Sequence, residues 1–96
     1  MRYFHRTTLS PDDVIAEADR YFGECLQAGE SRNRLREFSG SIGTIAVKVE
    51  AEGGHYTLVT LRTDQVGESE ADKLGKRFLT ILHSRGKPGH LARGAY

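Results

Sequence analysis

From Thr44 to Glu52 the chain alternates strictly. Ile45, Val47, Val49 and Ala51 fall on one side, and Thr44, Ala46, Lys48, Glu50 and Glu52 on the other. This period of two is the pattern of a strand with one buried face. Gly53-Gly54 follows, and His55 to Asp64 reads as the return strand of a hairpin. Loop length decides which residues share a face, because a shift of one residue turns every side chain over. A two-residue turn would set Leu58 and Tyr56 beside Ile45, Val47 and Val49. A three-residue loop with a bulge sets Val59 and Leu61 there instead and gathers Tyr56, Leu58, Thr60 and Arg62 with Lys48 and Glu50. The second arrangement separates apolar from polar residues better and is the one expected.

A half-buried hairpin needs a cover, and two segments of helical period supply it. In Leu9-Ser10-Pro11-Asp12-Asp13-Val14, Ser10 suits an N-cap and Pro11 the first helical position. The aspartates suit the positive end of the helix dipole, and Leu9 can close on Val14. Val14, Ile15, Ala18, Tyr21 and Phe22, with Cys25 and Leu26 beyond them, then share one face, and Gly23 ends or bends the last turn. The second segment runs from Ser69 to Arg85. Ser69 and Asp72 form a capping-box pattern, and Ala71, Leu74, Gly75, Phe78, Ile81 and Leu82 line one side. Gly86 and Pro88 close it.

Two further segments read as strands. Met1 to Thr8 has the composition of a short one, although adjacent Tyr3 and Phe4 break its alternation. Arg32 to Phe38 should be the strand before the hairpin, with Gly29 in the connection that precedes it. Its pattern conflicts with itself: Leu35 shares a face with Glu37, and Phe38 with Arg34 and Arg36, so an edge position or a bulge is implied. The expected fold is therefore α+β, a two-layer sandwich of order (β)αβββα. Two helices cover one face of an antiparallel sheet of three to four strands. Residues 1–85 form one domain, and residues 86–96 a basic arm containing Gly and Pro.

Charge is unevenly placed on a chain of net charge +1: Lys76, Arg77, Arg85, Lys87 and Arg93 all follow Asp72, the last acidic residue. A basic end suits an anionic partner or a solvated tail. No apolar run is long enough to span a membrane, and Met1 to Arg6 lacks the apolar stretch of a signal peptide. A lone cysteine, Cys25, excludes an internal disulfide and suits a reducing compartment, so a cytoplasmic location is expected. Cys25 itself reads as a small buried hydrophobe at the end of the first helix.

Motifs that carry chemistry are not visible. His5, His55, His83, His90 and Cys25 lack the paired spacings of structural zinc sites, and Glu50, Glu52 and His55 read as a solvated turn. No glycine pattern cradles a phosphate. No cofactor, metal, small-molecule substrate or enzymatic activity is therefore expected. Two surfaces remain for binding. One is the open sheet face, expected to carry Arg34, Arg36, Phe38, Tyr56, Leu58 and Arg62, with Lys48 among them. The other is the terminal arm with Lys87, His90, Arg93 and Tyr96. The expected role is a small interaction module, an accessory subunit that docks to a larger assembly or to itself. The alternative is a nucleic-acid-binding domain using Arg34, Arg36, Tyr56 and the tail, since aromatics among arginines stack bases and follow phosphates.

The order αβββα over residues 10–85, with Gly67-Glu68-Ser69 opening the last helix, resembles the double-stranded-RNA-binding domain in topology. That family opens its last helix with a lysine-rich run. Here Glu70, Ala71 and Asp72 occupy the corresponding positions, with Lys73 and Lys76 as the available cations. The resemblance implies a shared arrangement of elements and does not extend to the phosphate-contacting residues.

Overall fold

The computed structural model describes residues 1–86. The elements run β1 (Arg2–Thr7), α1 (Pro11–Gly23), β2 (Gln27–Arg32), β3 (Leu35–Gly40), β4 (Gly43–Glu52), β5 (Tyr56–Thr63) and α2 (Glu70–Gly86). All strand pairs are antiparallel and form one five-stranded sheet of order β1-β5-β4-β3-β2. The α+β class and the two helices are as expected. The sheet is larger than the sequence suggests, because the chain between α1 and the hairpin folds into two strands instead of one. With four strands between its helices, the chain departs from the αβββα order of the double-stranded-RNA-binding domain.

The extra strand has a physical signature. Every residue of β2 is exposed, so Gln27-Ala28-Gly29-Glu30-Ser31-Arg32 carries no burial pattern to read. Gly29 lies within it, and the pairing with β3 slips between Ala28 and Ser31. A tight turn at Asn33-Arg34 joins the two strands, with Arg34 in the left-handed region at φ 64°.

The central hairpin forms with the three-residue loop. Glu52 faces Tyr56, Val49 faces Val59 and Val47 faces Leu61. Gly53 and Gly54 take φ values of 64° and 76°, which a side chain would resist.

The first helix starts as its sequence dictates. Ser10 Oγ accepts from the Asp13 N–H at 3.2 Å, and Pro11 opens the helix. Val14, Ile15, Ala18 and Phe22 are buried, whereas Cys25, past the helix end at Gly23, is exposed and is no core residue. In α2, Ala71, Phe78, Leu79 and Leu82 are buried, with Gly75 on the same side. Leu79 thus takes the inward place expected of Ile81, which lies at the flank. A Cβ on Gly75 would come within 2.6 Å of Leu61 Cδ2, so this glycine lets the helix close onto β5. Phe22 of α1 joins the layers, its ring 5.2 Å from Phe38 on β3 and 4.9 Å from Phe78 on α2. Across the helix pair, buried Glu17 is ion-paired with both Arg20 and Arg85.

Candidate functional site: the open sheet face

Directly opposed residues of antiparallel strands share a face, so the registers place every side chain of the sheet. Tyr3, Leu61, Val47 and Arg36 form one row across β1, β5, β4 and β3, beneath the helices. The neighbouring rows point the other way: Arg2, Arg62, Ala46 and Glu37 in one, then Phe4, Thr60, Lys48 and Leu35 in the next. Arg6, Leu58 and Glu50 form a third, and Tyr56 beside Glu52 closes that face at the hairpin end.

This arrangement corrects part of the expected site. Phe38 is 1% exposed and belongs to the core. Arg36 lies on the same helix-covered face, where its Nε meets Asp19 Oδ1 of α1 at 3.1 Å and its Nη1 donates to the carbonyls of Arg32 and Leu35. The conflict within Arg32–Phe38 is settled by that reach. An arginine long enough to bring its charge to a helix carboxylate can sit on an apolar face. Arg34 lies in the β2–β3 turn, off the rows of the face, while its carbonyl accepts from the Val49 N–H at 2.9 Å. Tyr56, Leu58 and Arg62 take their expected positions. Lys87, His90, Arg93 and Tyr96 lie outside the described residues.

The residues that sequence reasoning missed come from β1 and β3. Phe4 is 52% exposed, close to the 50% of Tyr56. Arg2 and Arg6 flank it on β1, and Leu35 and Glu37 lie across the sheet on β3. The signal was the Tyr3-Phe4 pair itself: adjacent strand residues point to opposite faces, so each face receives one aromatic.

Position on the edge is fixed from the other side of β1. Tyr3 Oη donates to Asp72 Oδ1 at 2.6 Å, Lys76 Nζ lies 3.2 Å from Asp72 Oδ2, and the Glu68 N–H donates to Oδ2 at 3.0 Å. Asp72 is fully buried and its own N–H donates to Ser69 Oγ at 3.1 Å. The capping box is therefore redirected. The Asp72 carboxylate does not merely face the solvated helix start; it takes donors from Glu68, Tyr3 and Lys76. Burial pushes the Asp72 carboxyl up, but the donors from Tyr3, Glu68 and Lys76 together hold it below the usual carboxylate range. The hydrogen bond to Asp72 raises both the Tyr3 phenol and the Lys76 ammonium. Lys76 also lies 5.4 Å from the Tyr3 ring centroid.

The face is shallow. A concavity of about 290 Å³ opens at one end, lined by Leu35, Glu37, Ala46 and Arg62 and bounded by Thr44, Thr63 and Asp64. Asp64 is tied down there: the Thr44 N–H and the Gln65 amide donate to it, and both hold its carboxyl below the ordinary range. Ion pairs commit several charges within the face itself. Arg6 Nε meets Glu52 Oε1 at 2.6 Å, and Lys48 Nζ meets Glu50 Oε1 at 3.2 Å. Among the described residues, Arg2 and Arg62 are the cations of the face that no ion pair engages. No group of three or more His, Cys, Asp or Glu among the described residues is placed to hold a metal ion. No helix among them is long and apolar enough to cross a membrane.

Comparison with known proteins assigns no family, since no family model matches the chain and no curated protein matches it significantly.

Proposed function

We propose that this protein is a small non-enzymatic interaction module that docks another protein surface against its open sheet face. The observation that carries the reading is the pair Phe4 and Tyr56, about half exposed on a face that neither helix covers. Leu58, Leu35 and Ala46 add apolar area to the same face, interleaved with Thr60, Lys48, Glu50 and Arg62 on its central strands. Aromatic anchors of this kind contribute most when a partner removes them from water.

The test is recovery of bound protein on the immobilised chain, with Tyr56→Glu and Phe4→Glu as comparisons. Material retained by the native chain and lost by both variants supports the reading. Equal retention by all three overturns it.

A nucleic-acid interface is the weaker reading on this surface. Arg36 is turned to Asp19, Arg6 and Lys48 are neutralised by Glu52 and Glu50, and Glu37, which no ion pair among the described residues engages, would repel phosphates. Titration with single-stranded RNA at low and high salt discriminates the two. Binding that weakens steeply with salt and is lost in Arg62→Ala would replace the protein-docking reading.

A further inference from the structure

We infer that the surface docked on this face is a second copy of the chain, packed sheet to sheet about a two-fold axis running along the strands between β4 and β5. The inference rests on the reading of the open face as a protein-docking surface and adds its occupant and orientation.

Charge on the face is divided by strand. β1 and β5 carry Arg2, Arg6 and Arg62, whereas β3 and β4 carry Glu37, Glu50 and Glu52. Lys48 is the exception. Most of this charge is already paired within the chain: Arg6 with Glu52, Lys48 with Glu50, and Arg32 of β2, which shares the row of Leu35, with Glu30. Among the described residues the division therefore rests on Arg2 and Arg62 on one side and Glu37 on the other, which no ion pair engages. Symmetry turns this division into a choice of orientation. A two-fold axis lying across the strands would set the β1–β5 half of one copy on the same half of the other, arginine against arginine. An axis along the strands sets each basic half on the other copy's acidic half. Complementary potentials favour the second and penalise the first.

The rows then acquire specific counterparts. In the row Arg2–Arg62–Ala46–Glu37, a two-fold axis between β5 and β4 brings Arg2 over Glu37 of the second copy, and Arg62 over its Ala46. In the neighbouring row Phe4 meets Leu35 of the second copy. The usual aligned packing of sheets rotates them by about 30°, which displaces the outer strands by a few ångströms. Arginine and phenylalanine side chains span such a displacement. Arg2, which no ion pair engages within its own chain, thereby gains a carboxylate, and Phe4 leaves water.

The edge of β2 is poorly suited to the same purpose. Its pairing is interrupted by the irregularity between Ala28 and Ser31, and Glu30 and Arg32 form an ion pair along it. Bulges and charges of this kind blunt an edge against strand addition. The face, by contrast, is continuous over five strands.

Sedimentation equilibrium of the full chain across the micromolar range tests the inference, with circular dichroism melts to confirm that each variant folds. The native chain is expected to dimerise, and Phe4→Glu to be monomeric. Arg2→Glu and Glu37→Arg should each raise the dimer dissociation constant roughly tenfold, because each change acts twice in a two-fold assembly. Combining them restores the pairing with its signs exchanged, so the double variant should return to within about threefold of the native constant. A double variant weaker than either single overturns this orientation. A native chain that stays monomeric overturns the second copy as occupant and leaves the docking reading to the Tyr56→Glu recovery experiment. A dimer indifferent to Phe4→Glu overturns the inference, because self-association then uses another surface, and the docking reading is again decided by the recovery experiment.

Discussion

The phenol of half-buried Tyr3 on β1 and the buried carboxylate of Asp72 in the first turn of α2, 69 positions apart, are joined by a 2.6 Å hydrogen bond. It ties the first strand, an edge strand, to the last helix. Because adjacent side chains point to opposite faces, the bond that holds Tyr3 inward also presents Phe4 outward.

Tyr3→Phe removes that donor and leaves a buried, charged acceptor one partner short. Hydrogen bonds to ionised groups contribute about 1.5–3 kcal/mol, so the variant should lose about 2 kcal/mol of stability. For a domain of this size that corresponds to a fall in Tm of roughly 10 °C, read by a thermal melt. Asp72→Asn should cost at least as much, since Lys76 then loses its close anion as well.

The same cluster sets a pH window. Asp72 titrates lower in the folded chain than in the unfolded one, so its contribution is complete above the unfolded carboxylate range and is lost as pH falls through the folded value. Tyr3 and Lys76 titrate higher when folded, so their contributions are complete below their unfolded values and are lost as pH rises through the folded ones. The Tm of the native chain should therefore be flat near neutrality and fall below about pH 4 and above about pH 10. In Tyr3→Phe the carboxyl is lowered less, so the gap in Tm between native and variant should narrow on the acid side. A gap that stays constant into acid would contradict this account.

Gly75→Ala sets helix propensity against packing. Alanine favours a helix interior by about 1 kcal/mol over glycine. The added Cβ would press on Leu61, which is fully buried and has little room to move, and overpacking of this kind costs about 1–3 kcal/mol. The variant should be destabilised by about 1 kcal/mol despite its better propensity. With Leu61→Ala in the same chain the new methyl group fills vacated space. The double variant should then be more stable than the sum of the single effects allows, as a double-mutant cycle of thermal melts would show.

Elements whose one face is buried were readable from residue pattern. The β4–β5 hairpin, its three-residue loop and the Ser10–Pro11 helix start all follow from local spacing, because burial on a single face imprints a period. β2 left no imprint, since none of its side chains is buried. The fault at the site had a different origin. Arg36 and Phe38 were expected on the open face because an arginine beside the core contradicts the pattern, and the answer lay in Asp19, a partner 17 positions away on α1. Cys25 was misplaced because the helical period was carried past Gly23, where the helix stops.

The two edges of the sheet are secured very differently. β1 is tied down by the Tyr3 hydrogen bond and by the terminal amine of Met1, which donates to the carbonyls of Thr63 and Gln65 at 3.1 and 3.2 Å. β2 has no buried side chain and an interrupted ladder to β3. Local opening should therefore begin at β2, whose amides would exchange with deuterium ahead of the rest of the sheet. The molecule would fray from that margin inward while the Phe4 side of its open face keeps its shape.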